Sequence, residues 1–155
     1  MRIDIAAVGR LRNGPEAELV SDYLDRFART GRSLGLPPVN MIEVEDKRGG
    51  GSTAEAELLI RAIPAGATLV MLDERGQQPT SPEFADKLAG YRDQARDLCF
   101  VIGGADGIGA GLRQRADWQI SFGRMVWPHM LVRVMLAEQL YRAATILAGS
   151  PYHRA

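Results

Sequence analysis

Short apolar runs alternate with amphipathic segments along the whole chain. Runs of strand length occupy residues 2–8, 39–44, 68–72, 97–102 and 118–122. The segments between them repeat apolar residues every three or four positions, as Leu19, Tyr23 and Phe27 do, which is the spacing of one helix face. The fourth run is apolar without interruption over residues 98–102, which is typical of a parallel strand covered on both faces. The pattern predicts a single α/β domain over residues 1–155, with a mostly parallel sheet flanked by helices.

Capping residues predict where the helices begin and end. Ser52, with a glutamate three residues later, has the spacing of a capping box at the start of the second helix. Ser81 stands before a proline and is the predicted N-cap of the third. Pro128 opens the longest helix, over residues 129–148, and Gly149 ends it.

Ligands of such a fold bind at the carboxyl ends of the strands, so the loops after strands are the candidate sites. These loops are residues 72–76, 103–111 and 123–128. The second contains five glycines directly after the most apolar run, where the backbone must turn sharply or approach a ligand closely. A further group, Gly49 and Gly51 with Asp73 about twenty residues later, has the looser pattern of a dinucleotide site.

Composition restricts the class of protein. The 155 residues carry 19 basic and 19 acidic side chains, typical of one compact globular domain. Cys99 is the single cysteine, which excludes an internal disulfide and favours a reducing compartment, and no cysteine–histidine group has zinc spacing. Asp4 interrupts the apolar stretch that a signal peptide needs, and no window reaches about 18 uncharged apolar residues. We expect a cytoplasmic protein without a membrane partner or a metal.

The last predicted helix carries candidate chemistry in its first turn. His129 lies at the positive end of the helix dipole, which favours a neutral imidazole able to accept a proton. Arg133 shares its face, so the pair either holds an anion or leaves Arg133 to cover apolar surface with its methylenes. Glu138 and Arg142 have the order of a helix-surface ion pair. Apolar residues, Leu136 among them, cover more of this helix than one sheet face can bury, which predicts a homodimer.

The C-terminal part of the chain is basic although the net charge is zero. From Gly107 onward, six arginines stand against two acidic residues, which permits contact with a polyanion without establishing it. The polar tail, residues 150–155, gathers Tyr152, His153 and Arg154. A tyrosine for stacking on a base, a histidine for proton transfer and an arginine for phosphate suit an RNA site.

Motifs spread over the whole chain resemble a known family. They are residues 5–9, 47–49, 72–73, 102–104 with Gly107, 128–129, Leu131, Arg133, Glu138, 141–143 and 151–154. In order and spacing they resemble the SPOUT class of S-adenosylmethionine-dependent RNA methyltransferases, specifically the ribosomal RNA large subunit methyltransferase H family. The group from Pro128 to Arg154 is the most specific, and the length of the chain is also similar to that of the family.

The resemblance implies a deep C-terminal trefoil knot, a homodimer, and methyl transfer to N3 of a pseudouridine in helix 69 of large-subunit (23S) ribosomal RNA. The substrate would be the assembled ribosome, with no DNA partner. S-adenosylmethionine would be the cofactor, without a metal. By the same resemblance it would bind in the knot, at Leu72, Gly103, Gly104, Phe122, Gly123, Arg124, Met125, Val126 and Trp127.

A sulfonium methyl is already activated, so its transfer needs alignment and removal of an imide proton, without a metal or a covalent nucleophile. We expect one histidine to assist that deprotonation, and nearby cations and an aromatic ring to hold RNA. The candidates are His153, or alternatively His129, as proton acceptor, Arg133, Arg142 and Arg154 as phosphate ligands, and Tyr152 as a stacking platform.

Two functions of other classes are alternatives. A non-catalytic ribosome-binding or assembly protein would keep the tail and the basic helix but would have no usable cofactor pocket. A nicotinamide-dependent oxidoreductase would use Gly49, Gly51 and Asp73 to bind its dinucleotide.

Overall fold

The computed structural model describes residues 1–154, and Ala155, the last residue of the predicted tail, lies outside them. Five strands and five helices alternate over this range, with a short 3-10 helix, Arg32–Leu34, after the first α-helix. The elements are β1 Ile3–Val8, α1 Pro15–Gly31, β2 Val39–Val44, α2 Gly51–Ala62, β3 Thr68–Gln77, α3 Ser81–Asp93, β4 Leu98–Ile102, α4 Ala110–Gln114, β5 Trp118–Ile120 and α5 His129–Ala148.

The five strands form one parallel sheet with the order β2-β1-β4-β3-β5. Ile3 of β1 lies opposite Val39 of β2 on one side and Leu98 of β4 on the other. Since every pairing is parallel, the carboxyl ends of all five strands meet at one edge, here called the carboxyl edge. The predicted α/β fold with a parallel sheet is confirmed, whereas the trefoil knot stays a prediction.

Each face of the sheet buries its own apolar cluster. Phe100 of β4 packs on one face with Phe27 of α1 and Leu136 of α5. Cys99, its neighbour in the strand, packs on the opposite face with Leu59 of α2. Burial raises the pKa of the Cys99 thiol to about 12, as expected for an unreactive core cysteine. The prediction that β4 is covered on both faces is confirmed.

Two predicted helix starts are wrong. The N-cap of α2 is Gly50 rather than Ser52, and no side chain caps the helix. The Glu55 carboxylate that the capping box requires lies instead beside Gly104, whose Cβ, if present, would be 2.9 Å from Glu55 Oε2. In α3 the capping box is formed by Thr80 and a glutamate, while the Ser81 hydroxyl donates to Gln139 of α5, 2.8 Å away.

Further differences lie at the carboxyl edge. The bounds of α5 and the left-handed Gly149 after it are as predicted, but β5 ends at Ile120 and α4 was not predicted. β3 continues to Gln77 after a shift of register, so that both Leu72 and Gln77 pair with Ile120. No helix described in residues 1–154 is long and apolar enough to cross a membrane.

The end of β3 after this shift of register depends on Gly76. An alanine Cβ at this position would lie 2.7 Å from the carbonyl carbon of Gln119 and 2.7 Å from the backbone nitrogen of Ile120. Neither atom can yield without distorting the pairing of β3 with β5. We expect Gly76→Ala to lower the free energy of unfolding by about 1–3 kcal/mol in urea denaturation followed by circular dichroism.

Gly90→Ala is the matched control, because an added Cβ in α3 meets no heavy atom within 4 Å. Its free energy of unfolding should be unchanged or higher by up to about 1 kcal/mol, since alanine favours a helix more than glycine does. Equal stability of the two variants would contradict the close approach at Gly76.

Candidate active site

A cavity of about 980 Å³ opens at the carboxyl edge, beside β3, β4 and β5. Its walls come from residues 72–75 of β3, from the loops after β4 and β5, and from residues of α2, α4 and α5. The predicted cofactor residues found in these walls are Leu72, Gly103, Gly104, Phe122, Gly123, Met125, Val126 and Trp127. Arg124, the remaining predicted position, is exposed and outside the cavity lining. Segments remote in sequence therefore meet where the fold predicts a ligand site.

The loop after β4 makes one wall of the cavity out of backbone. Gly107 donates its N–H to the Gly104 carbonyl, 3.0 Å away, and adopts φ +78°, so the loop turns back on itself. A Cβ on Gly103 would lie 2.7 Å from the Gly107 carbonyl oxygen and 2.8 Å from Ile108 Cγ1. Glycine at position 103 is therefore a steric requirement of the turn that shapes this wall.

Asp73 and Arg113 join two walls of the cavity. Arg113 Nε donates to Asp73 Oδ2 at 2.8 Å, and Arg113 Nη2 donates to the Ile108 carbonyl at 2.9 Å. Burial opposes ionisation of Asp73, but the N–H of Arg75 and the Arg113 guanidinium outweigh it and lower the pKa of this carboxyl. Asp73 is therefore a carboxylate whose negative charge is already paired with Arg113 within the protein.

The dinucleotide pattern does not form a site in this fold. Gly49 and Gly51 are absent from the cavity lining, and a Cβ on either would meet nothing within 4 Å. A dinucleotide fingerprint requires glycines because the backbone closely approaches the pyrophosphate and the neighbouring elements. With Asp73 held by Arg113, the geometry does not support the oxidoreductase alternative.

His129 is the histidine at the cavity, in the first turn of α5. Its Nδ1 atom is buried and has no hydrogen-bond partner among residues 1–154. Burial, with a smaller contribution from the positive charge of Arg133, lowers the pKa of His129 below its ordinary value. This direction agrees with the neutral imidazole predicted from sequence, which can accept a proton.

Arg133 has no exposed surface and is not available to a phosphate, which corrects the role expected of it. Its Nη1 donates to Glu43 Oε2 at 2.7 Å, and its Nη2 donates to the carbonyl oxygens of Val8 and Gly9, each 3.1 Å away. Nor does Arg133 simply cover apolar surface with its methylenes. It fastens α5 to the carboxyl ends of β1 and β2.

The other predicted RNA ligands gather at the far end of α5. Arg142 Nε donates to Glu138 Oε1 at 2.8 Å, which confirms the predicted ion pair, and Arg142 Nη1 lies 3.2 Å from His153 Nδ1. The Tyr152 hydroxyl donates to the same Glu138 oxygen at 3.2 Å. Burial, and then the charge of Glu138, raise the pKa of Tyr152 to about 12. These four residues are called the tail cluster; Arg154 beside them is exposed.

One chain does not bring the tail cluster to the cavity. No member of the cluster lines the cavity, whereas His129 does. His129 and Arg142 lie on the same straight helix, about 20 Å apart at 1.5 Å per residue. The structure therefore places the two candidate proton acceptors, His129 and His153, at separate locations.

Apolar side chains are exposed around the entrance to α5. Met125 and Val126 are each 77% exposed, and Trp127 and Leu131 are 42% and 38% exposed. Leu136, which sequence analysis included in the unburied apolar surface, is instead fully buried in the core. Around α5, the large exposed apolar side chains thus lie in the loop before the helix and in its first turn.

Comparisons with known proteins agree with this arrangement. The family model described as "Predicted SPOUT methyltransferase" matches residues 1–153. The chain belongs to the SPOUT methyltransferase family.

Curated relatives carry the name Ribosomal RNA large subunit methyltransferase H, and the chain covers almost all of their length. That of Paracoccus denitrificans (strain Pd 1222) is 75% identical over 154 residues, or 99% of each chain. That of Ruegeria pomeroyi (strain ATCC 700808 / DSM 15171 / DSS-3) is 69% identical over 155 residues, again 99% of each.

A solved structure shares the fold of this SPOUT methyltransferase. It is described as a probable methylase family protein from Haemophilus influenzae Rd KW20, and it matches with a TM-score of 0.54. The match covers 99% of this chain and 70% of that one at 12% sequence identity, so it supports the fold alone.

The partners of two structural arginines of this SPOUT methyltransferase, Arg133 and Arg113, are not predictable from the sequence. Glu43 lies 90 positions from Arg133, and Asp73 lies 40 positions from Arg113. No local pattern joins residues so far apart. The only signal was that Glu43 and Asp73 stand at the carboxyl ends of predicted strands, where side chains from separate segments meet.

The lowered pKa of His129 makes the stability of this protein sensitive to mild acid. Below pH 6.5, the ordinary pKa of histidine, the unfolded chain binds the proton more readily than the folded one. The free energy of unfolding therefore decreases as the pH is lowered. We expect His129→Gln to reduce the loss of stability between about pH 7 and pH 5, measured by urea denaturation.

His153→Gln is the control, since it removes the other histidine and leaves His129 in place. A proton NMR titration of the wild type should also place the midpoint of His129 below 6.5. An unchanged pH dependence in His129→Gln, with a midpoint at or above that value, would contradict the neutral imidazole.

Proposed function

We propose that this protein is an S-adenosylmethionine-dependent methyltransferase that methylates N3 of a pseudouridine in helix 69 of large-subunit (23S) ribosomal RNA. The observation that carries the proposal is the glycine-walled cavity at the carboxyl edge, in a chain of the SPOUT methyltransferase family. Support for the RNA substrate comes from relatives that are 65–75% identical and bear the name Ribosomal RNA large subunit methyltransferase H. A bacterial ribosomal substrate implies a cytoplasmic protein.

The cavity fits a methyl donor of this size. Its volume of about 980 Å³ lies at the upper end of the range of small-molecule sites, roughly 300–1,000 Å³. Glycine at positions 103 and 104 lets this loop pack tightly against Gly107 and Glu55, which sets the shape of the cavity wall. Leu72 and the loop before α5 supply apolar surface for an adenine and a methionyl chain. When bound, the donor supplies a methyl group activated by a sulfonium. No group of three or more His, Cys, Asp or Glu side chains in residues 1–154 is arranged to hold a metal ion.

The side chains of the protein must then hold the nucleotide that receives the methyl group and take its imide proton. His129 is the proton acceptor that one chain can supply for the imide, because it lines the cavity and its imidazole is neutral. His153 has this role only where a second subunit brings it to the cavity. Arg142, Arg154 and Tyr152 bind RNA near the tail, while Arg133 is a positioning residue that holds His129 in place.

We propose a homodimer in which the tail cluster of one subunit completes the cavity of the other. The distance of about 20 Å along α5 prevents both groups of residues from acting on one nucleotide within a single chain. The exposed apolar surface from Met125 to Leu131 adjoins the cavity and is suited to packing against a second subunit. In a dimer with a two-fold axis, the tail cluster of each subunit would then lie at the cavity of the other.

The non-catalytic alternative predicts no methyl-donor site. We expect calorimetric titration of the wild type with S-adenosylmethionine to give about one site per subunit, and purified ribosomes lacking the modification to be methylated. Gly103→Ala should weaken donor binding about tenfold or more, that is by about 1.4 kcal/mol, because the loop must move to relieve the contact with the Gly107 carbonyl and thereby displaces the wall that the donor meets.

Gly111→Ala is the matched control for this titration. Gly111 lies in α4 outside the cavity lining, and an added Cβ meets nothing within 4 Å, so donor affinity should be unchanged. Absence of both donor binding and methyl transfer in the wild type would favour a ribosome-binding or assembly protein. Binding of a nicotinamide dinucleotide instead would favour the oxidoreductase.

Complementation between subunits tests the composite site. Gly103→Ala and the double variant Tyr152→Ala/His153→Ala should each lose most of their methylation as homodimers when the donor concentration is near the wild-type Kd. Co-expression with two different affinity tags allows the mixed dimer to be purified. It should regain about half of the wild-type methylation rate, because one of its two sites combines an intact cavity with an intact tail from the other subunit. A mixed dimer as inactive as both parents would show that cavity and tail must belong to one chain.

A further inference from the structure

Two loops at the carboxyl edge carry basic residues that belong neither to the cavity lining nor to the tail cluster. The loop after β1 contains Arg10 and Arg12, and the loop after β2 contains Lys47 and Arg48. All four residues are exposed. Because β1 and β2 are neighbours in the sheet, the two loops emerge side by side. These four residues are called the cationic edge.

Hydrogen bonds tie the two loops together. The Gly9 N–H donates to the Val44 carbonyl at 2.7 Å, and the Leu11 N–H donates to Glu43 Oε2 at 2.7 Å. Arg10 Nε lies 3.5 Å from Glu45 Oε2, which adds an ion pair between the loops. The cationic edge is thus one surface with a fixed arrangement of its two halves.

The loop after β2 is held in a tight turn by Asp46. Its Oδ1 accepts the N–H of Arg48 at 3.0 Å, and its Oδ2 accepts the N–H of Gly50 at 2.5 Å. This turn leads directly into α2 at Gly51. Lys47 and Arg48 therefore project from a backbone fixed by hydrogen bonds.

The acidic residues at the ends of β1 and β2 and in the loops after them, Glu43, Glu45 and Asp46, are engaged within the protein, whereas most of the cations are not. Glu43 is held by Arg133, and Asp46 by backbone N–H groups. Within residues 1–154, Arg12, Lys47 and Arg48 form no ion pair. Exposed cations with an ordered backbone and no internal counter-ion suit the phosphates of a nucleic acid.

The cationic edge adjoins the cavity. Ser52, in the first turn of α2 just after the Asp46 turn, lines the cavity wall. On the other side, a Cβ on Gly9 would lie 3.5 Å from His129 Cε1, so the loop after β1 begins beside the cavity histidine. A polyanion held along Arg12, Lys47 and Arg48 would pass the mouth of the cavity.

We propose that the cationic edge binds the phosphate backbone of the substrate RNA next to the nucleotide that enters the cavity. The inference rests on the proposed function and extends it, since the RNA ligands of the tail cluster lie at the far end of α5. Contacts to phosphate fix the position of an RNA without reading its sequence. The cationic edge and the tail cluster of a second subunit would then hold the RNA on two sides of one cavity.

The test is a double charge reversal, Lys47→Glu/Arg48→Glu, which leaves Asp46 and the cavity residues unchanged. Binding to ribosomes that lack the modification is measured at several salt concentrations, and binding of S-adenosylmethionine is measured separately. We expect donor affinity to remain within about twofold and ribosome affinity to fall about tenfold or more at low salt. The slope of log affinity against log salt should decrease by about 0.7–0.9 for each phosphate that the variant no longer neutralises.

Arg29→Glu/Arg32→Glu is the matched control. It makes the same change of charge at exposed residues without ion pairs near the end of α1, at the opposite edge of the sheet. Its ribosome affinity and salt slope should stay close to those of the wild type. A second pair of variants, Lys47→Arg/Arg48→Lys and Lys47→Ser/Arg48→Ser, separates loss of positive charge from damage to the turn.

Each outcome decides between the proposals. Wild-type ribosome affinity and salt slope in the Lys47→Glu/Arg48→Glu variant would overturn the cationic edge while leaving the proposed function intact. An equal loss in the control variant would also overturn it, because the effect would then be one of net charge. Failure of the wild type to bind S-adenosylmethionine or to methylate ribosomes would contradict the proposed function, and the salt slopes would still decide whether this surface binds RNA.

Discussion

A guanidinium without exposed surface fastens α5 to the carboxyl ends of β1 and β2, and the arrangement of the cavity depends on it. Removing an ion from water costs several kcal/mol, so Arg133 stabilises this arrangement only because Glu43 and the carbonyls of Val8 and Gly9 replace its lost solvation. Its Nε nonetheless remains without a partner among the described residues. A methionine at position 133 would fill similar space but would leave Glu43 and two carbonyls without their donor. Arg133 therefore fixes the position of α5 against the ends of β1 and β2 through three directed hydrogen bonds.

That geometry has consequences on both sides of the arginine. One helical turn before it, His129 is held against the cavity, and its pKa is lowered by burial and by the Arg133 charge. Across the contact, Glu43 also accepts the Leu11 N–H, which sets the path of the loop after β1. The same buried ion pair thus orders a candidate proton acceptor and the loop that carries half of the cationic edge. A change at Glu43 would disturb chemistry and RNA contact together, although Glu43 touches neither substrate.

The sequence predicted regular elements well and long-range partnerships poorly. Periodicity predicted all five strands, and α5 matched its predicted bounds, because apolar patterning is a local consequence of burial. The glycines after β4 were also recognisable, since a sharp turn after a buried strand has a local requirement. The ion pair of Asp73 with Arg113, by contrast, forms only after the chain has folded, and no spacing in the sequence predicts it. The role expected of Arg133 was wrong for the same reason: its face on the helix was predictable, but not that two strand ends would converge on it.

The tail cluster and the cavity lie near opposite ends of one helix, so the proposed composite site requires a second subunit. A helix of the length of α5 cannot bring its last turn back to its first, so a single chain presents the cavity and the tail cluster in different regions. A dimer with a two-fold axis would bring a tail cluster to each of its two cavities. The apolar surface that a single chain exposes to water would form the contact between the subunits. Such an arrangement would also explain how a domain without net charge binds a polyanion. Two groups of its cations, the cationic edge and the arginines near the tail, would be brought by the two subunits to either side of the same site.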